Sequence, residues 1–167
     1  MPDLTRRGDP QTPRSTETFP AVARIVTSQR SYRGMSVSEL PVILVTEDDE
    51  ALRIFLEETL SDAGFEAALA TTGEEAFVLL TDRKDNYRAL VTDINLGGRL
   101  DGWEVAQTAR EIDHAFPVIY MSGAHADDWA VKGVPNSVML AKPFAPAQLV
   151  TALAQLLNAA PPNNPVT

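Results

Sequence analysis

From residue 42 onward, short apolar runs alternate with longer segments in which apolar residues recur at helical spacing. The runs predict five buried strands, at residues 42–45, 65–70, 89–93, 118–121 and 137–140. The intervening segments predict helices, as where Leu52, Leu56 and Leu60 fall on one face. Regular alternation with short connections predicts an α/β fold, a doubly wound five-stranded parallel sheet with helices on both faces.

Polar and special residues predict where the helices begin and end. Gly64 is typical of a helix stop, and Pro146 fits the first turn of the last helix. The segments 72–75 and 101–104 have the spacing of capping boxes. The last helix is expected to bury a stripe formed by Leu149, Val150, Leu153, Leu156 and Leu157. Only residues 124–132 have poor periodicity and predict at most a short helix.

Composition divides the 167 residues into three parts. Residues 1–38, rich in Pro, Ser, Thr and Arg, predict a flexible extension, residues 39–160 a folded domain, and residues 161–167 a tail. No apolar run approaches the ~20 residues of a membrane helix, and the sequence has no cysteine. We therefore expect no membrane association and a cytoplasmic location, without disulfides or cysteine-based metal sites.

The net charge of −9 is unevenly distributed. Residues 1–38 hold six arginines and three acidic residues, whereas the remainder holds 8 basic and 20 acidic residues. Because a nucleic-acid backbone is recognised by a basic surface, the acidic body predicts no nucleic-acid binding.

Three predicted strands end at charged residues. The first leads into Glu47 and Asp48, the third ends at Asp93, and the fifth leads into Lys142. Carboxyl ends of parallel strands meet at one sheet edge, so the three carboxylates should lie close together. At ~4 Å and an effective dielectric of ~20, each like-charge pair costs about 4 kcal/mol, which either a raised pKa or a bound cation would offset. Oxygen ligands without nearby Cys or His favour Mg²⁺.

The other polar residues near this edge fall into two groups, acids that start a helix and possible contacts of a phosphoryl group. Asp49 and Glu50 come after Glu47 and Asp48, further from the strand end, and are interpreted as the acidic start of a helix. Ser122, after the fourth strand, and Lys142 could both reach a phosphoryl group carried by Asp93, through a hydroxyl and an ammonium. Each is common in an ordinary turn, but the ordered set of acids, Asp, Ser and Lys is rare.

Because of these residues, the sequence resembles the receiver domains of two-component response regulators over about residues 41–159. The resemblance is carried by these segments: Ile43-Leu44-Val45-Thr46-Glu47-Asp48, Val91-Thr92-Asp93, Asp101-Gly102, Met121-Ser122-Gly123 and Lys142-Pro143-Phe144. It implies a flavodoxin-like fold. It also implies that Asp93 accepts a phosphoryl group from a sensor histidine kinase or a histidine phosphotransfer protein, and that the domain signals through altered binding to a downstream protein.

The resemblance also implies a role for each site residue. Glu47 and Asp48 would form the acidic pocket, and Mg²⁺ would be held there together with Asp93 and the backbone carbonyl of Asn95. Ser122 would act as the switch hydroxyl. Lys142 would be the counter-ion of the phosphoryl group, preceding a cis Lys142-Pro143 bond. Such a domain is a self-catalysing phosphoacceptor rather than an enzyme, and family members often form homodimers.

The sequence departs from the family pattern in three places. Gly97 and Gly98 lie in a loop one residue longer than usual, where the family usually has proline. Met139 occupies a position at which the family commonly has an aromatic switch residue. Residues 127–135 are short and poor in helix signals.

Two other functions fit parts of this pattern. A phosphatase that forms an aspartyl-phosphate also places an Asp at a strand end, but it needs a second acid where this chain has Asn95. An interaction module could keep the fold without phosphorylation, although the full set of polar residues argues against it. Four further residues are interpreted as packing or surface residues: His114, His125, Trp103 and Trp129. No recognisable output domain follows residue 160, so a stand-alone regulator is expected.

Overall fold

The structure is a computed structural model that describes residues 40–159, apart from the side chain of Lys84. The predicted extension at residues 1–38 and the predicted tail at residues 161–167 lie outside the described residues. The elements, in chain order, are β1 Val42–Thr46, α1 Glu50–Asp62, β2 Glu66–Ala70, α2 Gly73–Arg83, β3 Tyr87–Asp93, α3 Gly102–Ile112, β4 Val118–Ser122, α4 Trp129–Lys132, β5 Val138–Ala141 and α5 Pro146–Ala159. Short 3₁₀ turns at Lys84–Asn86 and Ala126–Asp128 precede β3 and α4.

All five strands are parallel, in the order β2-β1-β3-β4-β5. Apolar side chains alternate between the two faces of the sheet. Leu44 and Leu90 pack on the face covered by α2 and α3, and Ile43 and Val91 on the face covered by α1 and α5. The predicted doubly wound fold is therefore confirmed. Its central strands are buried on both faces, as their continuous apolar runs indicated.

Most of the predicted helix ends are confirmed by backbone geometry. The Asp49 side chain caps α1 by accepting the Leu52 N–H at 2.8 Å, and Gly64 follows the helix with a φ of 87°. Asp101 and Glu104 form the predicted reciprocal capping box at the start of α3.

The capping box predicted for residues 72–75 is only half formed. Thr72 Oγ1 accepts the Glu75 N–H at 3.1 Å, as predicted. The Glu75 carboxylate, however, accepts the N–H and hydroxyl of Thr71 rather than the N–H of Thr72. Thr71 offers two donors to one carboxylate oxygen, which explains why the side chain reaches one residue further back.

The last helix packs largely as predicted. Leu149 and Leu153 are fully buried, and Leu156 and Leu157 pack partly against the same core. Val150 is only partly buried and lies at a groove between α1 and α5. The weak periodicity of residues 124–132 corresponds to one 3₁₀ turn followed by the four-residue α4.

Tyr120 connects the core to the segment before β5. Its ring packs on Trp103 at a centroid distance of 4.7 Å, and its hydroxyl accepts the buried Val134 N–H at 3.1 Å. Burial raises the pKa of Tyr120, so the hydroxyl stays protonated at neutral pH. This hydroxyl therefore holds an N–H that would otherwise be buried without a partner.

Replacing Tyr120 with Phe should lower the free energy of unfolding by about 1–3 kcal/mol, because the Val134 N–H loses its acceptor while the ring packing is retained. Urea denaturation measures the change. Tyr87→Phe is the matched control, since Tyr87 is buried on the same face but its hydroxyl has no hydrogen-bond partner among the described residues. Equal stability of the two variants would contradict the assignment.

Candidate functional site at the carboxyl edge of the sheet

Three carboxylates meet at the carboxyl edge, as predicted. Within residues 40–159, Glu47, Asp48 and Asp93 form a group in which one oxygen of each lies within 4.8 Å of the others. The β1–β3 register places Thr46 beside Thr92, so the residues that follow these strands emerge next to each other. Glu47 and Asp93 are buried, whereas Asp48 is exposed. The cluster therefore has a buried base and an open side.

Lys142 faces the two buried carboxylates. Its Nζ lies 3.0 Å from Glu47 Oε2 and 3.1 Å from Asp93 Oδ2. Its backbone N–H donates to Ser122 O at 2.9 Å, and the Lys142-Pro143 peptide is cis, as expected. Burial alone would lower the pKa of Lys142, but the bonds and charges of Glu47 and Asp93 outweigh it and raise that pKa. The ammonium is therefore charged at neutral pH.

Glu47 is the most constrained acid of the cluster. Its side chain is only 1% exposed. Burial raises its pKa, as does the Asp93 charge, and the bonds from the Asp49 N–H at 3.0 Å and from Lys142 only partly offset this. A buried carboxylate with incomplete compensation makes added positive charge at this position favourable.

Arg53, in α1, supports the backbone of Glu47 and Asp48. Its guanidinium Nη1 donates to the carbonyls of Glu47 and Asp48 at 2.9 and 2.8 Å. We did not predict this contact from the sequence. An arginine one turn into the helix that follows the acids could have indicated it, because its long side chain can reach back over the loop.

Ser122 ends β4 and is buried. Its Oγ accepts the His125 N–H at 2.7 Å and the Ala124 N–H at 3.2 Å. The hydroxyl thus bonds with its own loop, and its predicted contact with a phosphoryl group remains a prediction.

Asn95 lies just beyond β3 and is exposed. Its backbone N–H faces Asp93 Oδ1 at 3.4 Å. This places Asn95 next to the cluster, although the metal contact predicted for its carbonyl remains a prediction.

The other residues named from the sequence form no bond to the three carboxylates. Met139 pairs with Tyr120 across β4 and β5 and is partly buried against the core. His114 is exposed after α3, and His125 Nδ1 lies 3.7 Å from the Asp128 carboxylate. Trp129 donates its indole N–H to Ser137 Oγ at 2.9 Å. These contacts agree with the packing and surface roles expected for them.

Comparison with known proteins agrees with this geometry. A model of the response regulator receiver domain matches residues 43–154. The chain belongs to this family. The transcriptional regulatory protein PrrA of Mycobacterium tuberculosis is 36% identical over 119 residues, which cover 70% of this chain and 50% of PrrA. The chain thus spans about half the length of the curated relatives it matches.

Two solved structures illustrate the fold. A response regulator receiver protein from Sinorhizobium medicae is 44% identical, with a TM-score of 0.71, and the match covers 74% of this chain and 98% of that one. The receiver domain of a sensor histidine kinase from Pseudomonas aeruginosa is 23% identical, with a TM-score of 0.63 and coverage of 72% and 99%. That structure has a magnesium ion coordinated in its active site cleft.

Among residues 40–159, no helix combines the length and the apolar character needed to cross a bilayer.

Proposed function

We propose that this receiver domain takes a phosphoryl group from a phosphohistidine of a partner protein onto Asp93 and signals through altered protein binding. One observation carries the proposal: Asp93 lies among two other carboxylates and within 3.1 Å of a lysine ammonium. This arrangement places a nucleophilic oxygen next to positive charge.

The residues account for each part of the transfer. An Asp93 oxygen attacks the phosphorus in line, so that a P–O bond forms while the P–N bond to the donor imidazole breaks. The electron pair of that bond leaves with the imidazole. Lys142, already 3.1 Å from Asp93 Oδ2, stabilises the negative charge on the phosphoryl oxygens. Ser122 Oγ accepts two loop N–H groups, and we propose that the side chain turns to donate its O–H to a phosphoryl oxygen, which would pass the signal into the loop after β4.

The residues present fit a magnesium ion. Three carboxylates supply only oxygen ligands, and a buried Glu47 with a raised pKa favours added positive charge. Asp48, Asp93 and the carbonyl of Asn95 would hold the ion, with Glu47 completing the acidic pocket. When bound, Mg²⁺ would neutralise charge on the transferring group.

Labelling with a small donor tests the proposal. We expect incubation with acetyl phosphate and Mg²⁺ to add one phosphoryl group to Asp93, detected by intact mass and peptide mapping. The adduct should be labile to hydroxylamine, as an acyl phosphate is, and chelation of Mg²⁺ should prevent its formation. A chain that stays unlabelled with both reagents present would refute the proposal.

The labelling experiment, together with a parallel assay on small phosphate esters, separates the two alternatives. Steady release of phosphate from many esters would indicate an aspartyl-phosphate phosphatase. Asn95 argues against this, because it offers a backbone N–H to Asp93 rather than the carboxylic acid that such a reaction needs. Complete inertness would indicate an interaction module. We therefore propose a phosphoacceptor, and not an enzyme with turnover.

The proposed partners follow from this chemistry. The donor would be a sensor histidine kinase or a histidine phosphotransfer protein in the cytoplasm, and the receiver of the signal a downstream protein or a second copy of this chain. PrrA is a transcriptional regulator by name, and about half of PrrA lies outside the match. The absence of nucleic-acid binding, expected from the acidic charge of the domain, therefore concerns this domain and remains a prediction.

A further inference from the structure

The loop that follows Asp93 is closed at its base. We call residues 95–101 the acceptor loop. The Gly102 N–H donates to Ile94 O at 2.9 Å, which brings the two ends of the loop together. A Cβ at Gly102 would overlap the Asp93 carbonyl, so this close approach needs glycine. The start and the end of the acceptor loop are therefore fixed at the edge of the sheet.

The far side of the acceptor loop is held by Glu74, in the first turn of α2. Glu74 Oε1 accepts the Arg99 N–H at 2.5 Å and the Leu100 N–H at 3.3 Å. Gly98 packs directly on the same carboxylate, where a Cβ would overlap it. Hydrogen bonds from N–H groups to an ionised acceptor are roughly twice as strong as neutral ones. One carboxylate thus fixes three consecutive residues of the acceptor loop.

The near side of the acceptor loop touches the phosphorylation site. A Cβ built on Gly97 would lie 3.8 Å from Asp48 Oδ2, and the Asn95 N–H lies 3.4 Å from Asp93 Oδ1. The segment that Glu74 holds is therefore continuous with residues that border two of the three carboxylates.

The state of Glu74 fits a fixed contact. The N–H groups of Arg99 and of Glu74 itself hold the pKa of Glu74 below its usual value. Burial acts in the opposite direction, and the Leu100 N–H adds a smaller lowering. Its second oxygen, Oε2, is buried and has no hydrogen-bond partner among the described residues. A buried carboxylate oxygen without a partner is costly, so the two bonds at Oε1 must outweigh that cost to keep the side chain in place.

We propose that Glu74 is a positioning residue for the phosphorylation site, which holds the acceptor loop against Asp48 and Asp93 from the neighbouring helix α2. The loop needs such a support because it contains two adjacent glycines, Gly97 and Gly98, whose backbone is conformationally free. This inference rests on the proposed function only where phosphorylation is the readout. Its effect on metal binding can be measured independently.

Glu74→Ala and Glu75→Ala form a matched pair for the test. The two acids are adjacent in the same helical turn and each variant loses one negative charge, but Glu75 bonds only to Thr71 and to no residue of the acceptor loop. We expect Glu74→Ala to weaken Mg²⁺ binding, measured by titration calorimetry, about 10-fold relative to Glu75→Ala. Labelling by acetyl phosphate at limiting Mg²⁺ should slow by a similar factor and recover at saturating Mg²⁺.

Hydrogen exchange gives a readout that does not depend on the metal. In Glu74→Ala, the amides of Arg99 and Leu100 should exchange faster, while those of β1 and β3 remain protected as in Glu75→Ala. Unchanged exchange at both amides would overturn the proposal, because the loop would then not depend on Glu74.

The variant Gly98→Ala provides a second, independent test of the positioning role of Glu74. Its methyl group should displace the Glu74 carboxylate, since φ at Gly98 is not in the left-handed region and the conflict is one of space alone. Gly98→Ala should therefore weaken Mg²⁺ binding as Glu74→Ala does, and the double variant should be no weaker than Glu74→Ala alone. Additive effects of the two substitutions would contradict a shared mechanism.

The possible failures can be told apart. A wild-type chain that binds Mg²⁺ but is never labelled would refute the proposed function, and the role of Glu74 would still be decided by the calorimetry and by exchange. A wild-type chain that is labelled, with Glu74→Ala and Glu75→Ala equal in Mg²⁺ affinity, would refute the positioning role alone.

Discussion

Replacing Asp93 with Asn is expected to abolish labelling by acetyl phosphate while leaving the fold intact. The substitution keeps the shape of the side chain at the end of β3 but removes the nucleophilic carboxylate. It also removes one of the three acids of the cluster, so stabilisation by Mg²⁺, measured as the shift in melting temperature, should fall strongly. Intact mass and thermal unfolding with and without Mg²⁺ measure both effects.

Asp49→Asn is the matched control for this variant. Asp49 follows the other two acids directly, but its side chain caps α1, a role that Asn fulfils equally well. Its labelling should equal that of the wild type. If Asp93→Asn were still labelled, at any residue, the assignment of the phosphoacceptor would be wrong.

Replacing Lys142 with Ala should slow labelling about 10²–10³-fold, which is typical for loss of one group that stabilises charge in a transition state. The variant should also be less stable by about 2 kcal/mol, because Glu47 and Asp93 then face each other without the ammonium between them. This figure is smaller than for a fully buried pair, since the Lys142 side chain is 25% exposed. Rates by mass spectrometry and urea denaturation give the two quantities.

A second lysine serves as the control. Lys132 forms an exposed ion pair with Asp128 at 3.1 Å, and solvent and salt screen such pairs so that they contribute little to stability. Lys132→Ala should leave labelling unchanged and have little effect on stability. Equal labelling rates in Lys142→Ala and the wild type would exclude Lys142 as counter-ion.

The sequence was sufficient to predict the fold and the residues that meet at its edge. Apolar runs that stop at Glu47, Asp93 and Lys142 locate the strand ends, and parallel strands necessarily bring those ends to one side. The central strands are buried on both faces, which makes their signal strong. The contacts of Lys142 with both buried acids follow less directly, because one strand separates β5 from β3 and two separate it from β1, and the long side chain has to span that distance.

Contacts made by long side chains across the fold were not predictable from the sequence. Glu74 and Glu75 are adjacent and chemically identical, yet one reaches the acceptor loop and the other reaches back to Thr71. The packing of α2 beside the acceptor loop determines which of the two glutamates contacts the loop and which contacts Thr71. Arg53 is a partial exception, because its position one turn into α1 indicates that it can reach back over the preceding residues, although not which carbonyls it contacts.

Within residues 40–159, the three carboxylates of the cluster are accompanied by one lysine ammonium, that of Lys142. Because like charges repel, we expect this edge of the sheet to disfavour the approach of anions. If the proposed phosphotransfer takes place, the phosphorylated donor is itself such an anion. Binding of Mg²⁺ would then ease the approach of the donor as well as the reaction that follows.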